Sequence, residues 1–145
     1  MAITSATCTS FKQELLKGIH NFNQASSPDP FKLALYSSSA TLGASTTAYS
    51  TSGEASGTNY TAGGATLTLK SGTPTTSGTT ALVDFDNLTF SNVTLTARGA
   101  LIYNSSDSNK AVCVIDFGKD VSATAGDLTV SFPSTGADTS IIRID

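Results

Sequence analysis

The sequence predicts a mainly β protein, an antiparallel sandwich or open barrel with an N-terminal amphipathic helix and a long Ser/Thr/Gly-rich loop. Three observations predict it. Most apolar runs are short, alternate with period two and are separated by Gly, Pro, Asn and Ser, the pattern of strands joined by tight turns. Only one stretch, "SFKQELLKGIHNF", carries apolar residues at helical spacing. Ser and Thr fill roughly three positions in ten, whereas charged residues make up 13%, about half the usual share.

The helix is expected over residues 10–22. Ser10 and Gln13 have capping-box spacing, and Phe11, Leu15, Ile19 and Phe22 fall on one apolar stripe. Glu14 and Lys17 can pair at i, i+3 on the solvent side, and Gly18 weakens the interior by about 1 kcal/mol. A helix this marginal needs a partner surface, either the protein's own sheet or a neighbouring subunit. The four stripe residues are therefore candidate contact residues. Residues 1–27 read as an N-terminal segment and 28–145 as a β-rich domain, all within the size of one domain.

After Pro28 and Pro30 the period changes to two. "FKLALYS" is the first strand, and "ATLTL", "ALVDFD", "LTFSNVTLTA", "GALIYN", "AVCVIDFG", "DLTVSF" and "SIIRI" follow as strand candidates. "SSDSN" between "GALIYN" and "AVCVIDFG" marks a hairpin with its tip near Asp107. The nearly continuous apolar run in "AVCVIDF" predicts a central strand covered on both faces. Cys8 and Cys113 are expected as buried free thiols rather than a disulfide.

Between the first strand and "ATLTL" lies a loop, residues 37–64, whose only charged residue is Glu54. Loops of this length are usually functional or disordered. Tyr36, Leu42, Tyr49 and Tyr60 are spaced along it as anchors that could hold an extended segment on a surface, and they join the candidate contact residues. Gly63 and Gly64 allow the chain to turn back.

Little in the sequence supports catalysis. His20 is the only histidine, and its place near the helix C-terminus suits a structural cation. Asp84 and Asp86 flank Phe85 and share a strand face; solvated carboxylates at a strand edge outweigh an acid/base pair or a Ca²⁺ site. The glycines of the loop lack the Lys-Ser/Thr of a phosphate loop. No catalytic residue, metal site or cofactor is expected. Eight basic and eleven acidic residues, with no basic stripe, argue against nucleic-acid binding. No segment approaches a membrane span, and "MAITSATCTS" lacks the features of a signal peptide. The sequons at Asn59, Asn87, Asn92 and Asn104 read as by-products of a Ser/Thr-rich chain. Low charge suits a protein standing in many copies beside itself, because a charge meeting its symmetry mate is repulsive.

"SFKQELLKGIHNF", "FKLALYSSSATLGASTTAYSTSGE", "NYTAGGATL", "ARGALIYN", "AVCVIDFG", "AGDLTVSFP" and "IIRID" together resemble a family of small virion structural proteins of tailed bacteriophages, in order over nearly the whole chain. Members often have Gly where this chain has Asn59, a residue that tolerates positive φ. The resemblance implies a non-enzymatic protein of the virion, assembled in the bacterial host cytoplasm. Its partners would be itself and other virion proteins such as portal or neck, tail or major capsid protein. A tail, neck or fibre-associated role is expected, with capsid decoration or a carbohydrate- or receptor-binding module as alternatives. The hydroxyl-rich segment would then be an arm that orders against a neighbour.

Overall fold

A computed structural model describes residues 2–145. The chain runs β1 (Ala6–Thr7), α1 (Thr9–Leu16), β2 (Phe31–Tyr36), β3 (Ala65–Thr66), β4 (Thr75–Ser77), β5 (Thr80–Val83), β6 (Leu88–Asn104), β7 (Lys110–Val130) and β8 (Ile142–Ile144). The fold is mainly β, with antiparallel sheets: five strands in the order β1-β7-β6-β2-β3 and three in the order β4-β5-β8. One buried apolar cluster joins Phe11 and Phe22, Leu33 and Leu35 of β2, Leu101 of β6, Val112 of β7, and Val83 and Ile142 of the smaller sheet.

The hairpin of β6 and β7 dominates. "LTFSNVTLTA" and "GALIYN" are one strand, and "AVCVIDFG" and "DLTVSF" another, joined by a turn that places Asn104 opposite Lys110. Register shifts interrupt the ladder. The largest lets Phe117–Asp120 loop out between Asp116, opposite Gly99, and Val121, opposite Ala97, and such irregularities bend and twist a long ribbon so that it wraps a core. Ala111–Val114 are fully enclosed, between β6 and β1, as the continuous apolar run predicts. Cys8 and Cys113 are both buried and free, and burial raises both thiol pKa values, that of Cys8 to about 11.

The helix is shorter than the spacing predicts. It ends at Leu16 because Gly18, read from the sequence as a weak interior position, closes it. Gly18 adopts φ +72°; its N–H donates to the Leu15 carbonyl at 3.1 Å and the Ile19 N–H to the Glu14 carbonyl at 3.0 Å, a Schellman closure. Cys8, not Ser10, is the N-cap, and no side chain caps it, so the expected capping box does not form. Ser10 Oγ is buried and has no hydrogen-bond partner among the described residues. Glu14 is buried rather than paired with Lys17 on the solvent side.

The helical stripe is likewise dispersed. Phe11 and Phe22 belong to the protein's own core, with Phe22 stacked on Phe31 at 4.3 Å and edge-on to Phe11 at 6.0 Å. Phe85 continues the cluster from Phe31 to Phe132. Leu15 packs against the same core and Ile19 is half-buried. Ile19 and Phe22 lie beyond the helix end.

Asp84 departs from the expected solvated pair. It is completely buried whereas Asp86 is exposed, 4.0 Å from Lys70. Asp84 Oδ1 accepts the Phe85 N–H at 3.0 Å, but Oδ2 has no partner in hydrogen-bond geometry among the described residues. Burial raises its pKa; the Phe85 and Ile141 N–H groups, Lys70 and Ser140 pull the other way. A carboxyl whose pKa is higher folded than unfolded costs nothing below the unfolded value and destabilises as pH rises above it. Asp84→Asn keeps the Oδ1 acceptor and removes the charge. It should raise the Tm at pH 7, with the gain shrinking below about pH 4; thermal melts of the two proteins at both pH values check this, and a lower Tm at pH 7 would refute it.

Candidate functional site

Residues 37–64 fold back along the chain's own strands. Beyond the short β3, the exposed edge of β2 is taken up by the loop: Ala55 N–H donates to Leu35 O at 2.9 Å and Ser37 N–H to Gly53 O at 2.9 Å. Thr58 and Thr94 exchange two backbone bonds of 3.2 Å, Ala48 bridges to Lys110, and Leu42 pairs in parallel with Ile3. An unpaired edge is a template for unwanted pairing, and the loop covers it.

Backbone approach this close explains the small residues. A Cβ at Gly64, which has φ +77°, would lie 1.8 Å from Leu33 O, and one at Gly57 would lie 1.9 Å from Thr94 O. Asn59, in the position that favours Gly, has φ +64° and donates from Nδ2 to Asn92 O at 2.8 Å.

Glu54 and the chain's four tyrosines fasten the segment. Glu54 Oε1 accepts Tyr60 OH at 2.8 Å and the Gly63 N–H at 2.7 Å, and Oε2 accepts Tyr49 OH at 2.7 Å. Tyr60 OH in turn accepts the Leu35 N–H at 2.9 Å. Tyr36 OH donates to Ser50 O at 2.5 Å and Tyr103 OH to Gly63 O at 2.6 Å. The Tyr49 and Tyr103 rings stack on each other at 4.8 Å.

Of the eight candidate contact residues, Phe11, Phe22 and Tyr36 are core residues. Leu15, Leu42, Tyr49 and Tyr60 pack against that core and Ile19 is half-buried. The segment expected as an arm against a neighbour lies along its own chain. The tyrosine anchors bind their own chain, through the hydroxyls of Tyr36, Tyr49 and Tyr60 and through the stacked ring of Tyr49.

These phenols are held protonated. Burial, reinforced by the Glu54 carboxylate, raises Tyr49, Tyr60 and Tyr103, and burial takes Tyr36 to about 12. A raised folded pKa contributes stability that is whole below the unfolded value of about 10 and is lost as pH climbs through the folded one. Unfolding and tyrosinate absorbance should therefore rise together well above pH 10. Tyrosinate appearing near pH 10 in a folded protein would contradict this.

A second polar cluster was not foreseen from the sequence. His20 lies beyond the helix, buried, with Nε2 3.0 Å from Glu14 Oε1 and Nδ1 3.1 Å from Asn104 Nδ2. Because the Asn104 amide is a donor, His20 Nδ1 is the acceptor and Nε2 carries the proton toward Glu14. Asn104 Nδ2 also donates to Asp29 Oδ2 at 2.8 Å, and Oδ1 accepts the Ser106 N–H and hydroxyl. Its members come from the helix, the linker that follows it and the hairpin turn, so the cluster ties the three together. The spacing of these residues gave no signal, since the contacts span up to 84 positions.

The outer face of the hairpin's far half is of a third kind. Thr89 Oγ1 and Thr129 Oγ1 meet at 2.9 Å, and Thr96 Oγ1 and Ser122 Oγ at 2.7 Å, all exposed. Phe90, Val93, Leu95 and Leu128 point inward. Arg98 and Asp116 pair at 3.3 Å, and the Gly118 N–H followed by Arg98 lowers the Asp116 pKa. Among the described residues no group of three or more His, Cys, Asp or Glu could hold a metal ion, and no helix is long and apolar enough to cross a membrane. Compared with known protein families, curated proteins and solved structures, the chain matches none.

Proposed function

We propose that this chain is a non-enzymatic structural protein of a tailed bacteriophage virion, present in many copies, in a tail or neck accessory role. The observation that carries this reading is the hydroxyl-rich outer face of β6 and β7, with the pairs Thr89–Thr129 and Thr96–Ser122, where the one carboxylate between the pairs, Asp127, is tied to the Asn92 N–H at 3.0 Å. Such a face can meet a symmetry-related copy without the repulsion that a charged face would bring. The sequence resemblance supplies the virion context. The anchored segment 37–64 supports a rigid presented surface rather than an arm that orders on a neighbour.

Counting the chain in purified particles tests the reading. About six or twelve copies per particle fit the neck or tail, and hundreds move the assignment to capsid decoration. Absence from particles made in infected cells would overturn it. A carbohydrate-binding role would gain support only from glycan binding by the isolated protein.

A further inference from the structure

We infer that β8 is a self-association edge, at which two copies of this chain pair antiparallel about Ile144. The inference names a contact within the multi-copy assembly proposed above, yet it concerns the isolated chain and can fail separately.

The sheets have four outer edges. β1 and β3 are two residues long, and β4 offers Thr75–Ser77, all exposed and hydroxylated. β8 differs. Its inner edge is paired with β5, its outer edge is open, and it carries Ile144, 55% exposed. The other exposed large apolar side chain among the described residues is Leu16, 91% exposed. Both line one groove of about 430 Å³ between α1 and β8, with Leu15, Ile142, Lys12 and Arg143. An open strand edge beside exposed apolar side chains is the arrangement that strand addition uses.

Charge selects the occupant. Lys12 and Arg143 are the groove's charged residues, both basic, so it favours a strand that brings a carboxylate. The chain's own β8 ends beside Asp145. In an antiparallel register centred on Ile144, Arg143 of each copy stands opposite Asp145 of the other, giving two equivalent opposite-charge pairs. On the other face Ile144 meets Ile144, and Leu16 of the facing wall covers the incoming strand. The Arg143 guanidinium donates from Nη1 to Ala137 O at 3.1 Å, and Asp145 Oδ1 accepts Thr80 Oγ1 at 2.7 Å; a guanidinium has five donors and a carboxylate two acceptor oxygens, so both retain capacity for the pair.

Sedimentation equilibrium of the full chain across a concentration series tests this. The expected result is a species of twice 14.8 kDa. Ile144→Lys and Leu16→Lys should each raise the dimer Kd at least about tenfold, with far-ultraviolet circular dichroism unchanged because both side chains are exposed. Arg143→Asp and Asp145→Arg should each weaken the dimer similarly, and the double exchange should restore it, a rescue that misfolding would not produce. A monomer at every concentration, or an oligomer indifferent to all four substitutions, overturns the inference. If that happens while particles contain many copies, the virion reading stands; a dimer absent from particles reverses the two outcomes.

Discussion

Asn104→Ala is expected to destabilise the fold by about 3–5 kcal/mol, because it strips a buried cluster of its shared member. Asn104 is fully buried. Its amide donates to His20 Nδ1 and Asp29 Oδ2, and its carbonyl accepts both groups of Ser106. Truncation leaves His20 without its donor, removes one bond to the half-buried Asp29 carboxylate and opens space at the end of β6. Asn104→Asp should be no milder, since it replaces the donor with a second carboxylate beside Asp29. Urea unfolding of both variants at neutral pH measures the loss. A decrease below about 1 kcal/mol would mean that the cluster's bonds are readily replaced by water.

Glu54→Ala should cost about 3 kcal/mol, the second largest single-site effect, and should act locally before it acts globally. Three donors converge on this carboxylate: the hydroxyls of Tyr49 and Tyr60 and the Gly63 N–H. Tyr49 is half-exposed and regains water, so the full value of three charge-assisted bonds is not lost. Tyr60 and Gly63 are more enclosed and carry most of the effect. Glu54→Gln should cost less, because its carbonyl oxygen still accepts the two bonds made by Oε1. Amide hydrogen exchange resolves the mechanism: protection at Ala55 and Gly63 should fall in Glu54→Ala while that at Leu101 and Val112 persists. Uniform loss across the sheet would show instead that the segment and the core open as one unit.

What could be read from the residues follows physical range. Period-two alternation located the β content, and the "SSDSN" turn located the main hairpin, because both signals are local. The helix was overextended at its C-terminus since Gly18 gives the same letter whether it weakens a helix or ends one; only its φ distinguishes them. Spacing placed the tyrosines as anchors but could not say which surface they hold, for Glu54 and Tyr103 meet only through the backbone of Gly63. β4 was passed over because "TTS" has no apolar alternation. His20, Asn104 and Asp29 look like a lone histidine, a sequon and a linker acid until the fold joins them, and the groove at β8 exists only between elements more than 120 positions apart.

The pairing of Ala6–Thr7 with Cys113–Val114 also dictates an order of events during biosynthesis. A ribosome extruding this polypeptide releases Cys8 and Phe11 long before the strand that will enclose them exists. Native docking of that stretch must await the residues beyond Val114, and the conformational search spans over a hundred positions, a separation associated with slow folding. Until then its sulfhydryl and aromatic groups are accessible to chaperones and oxidants.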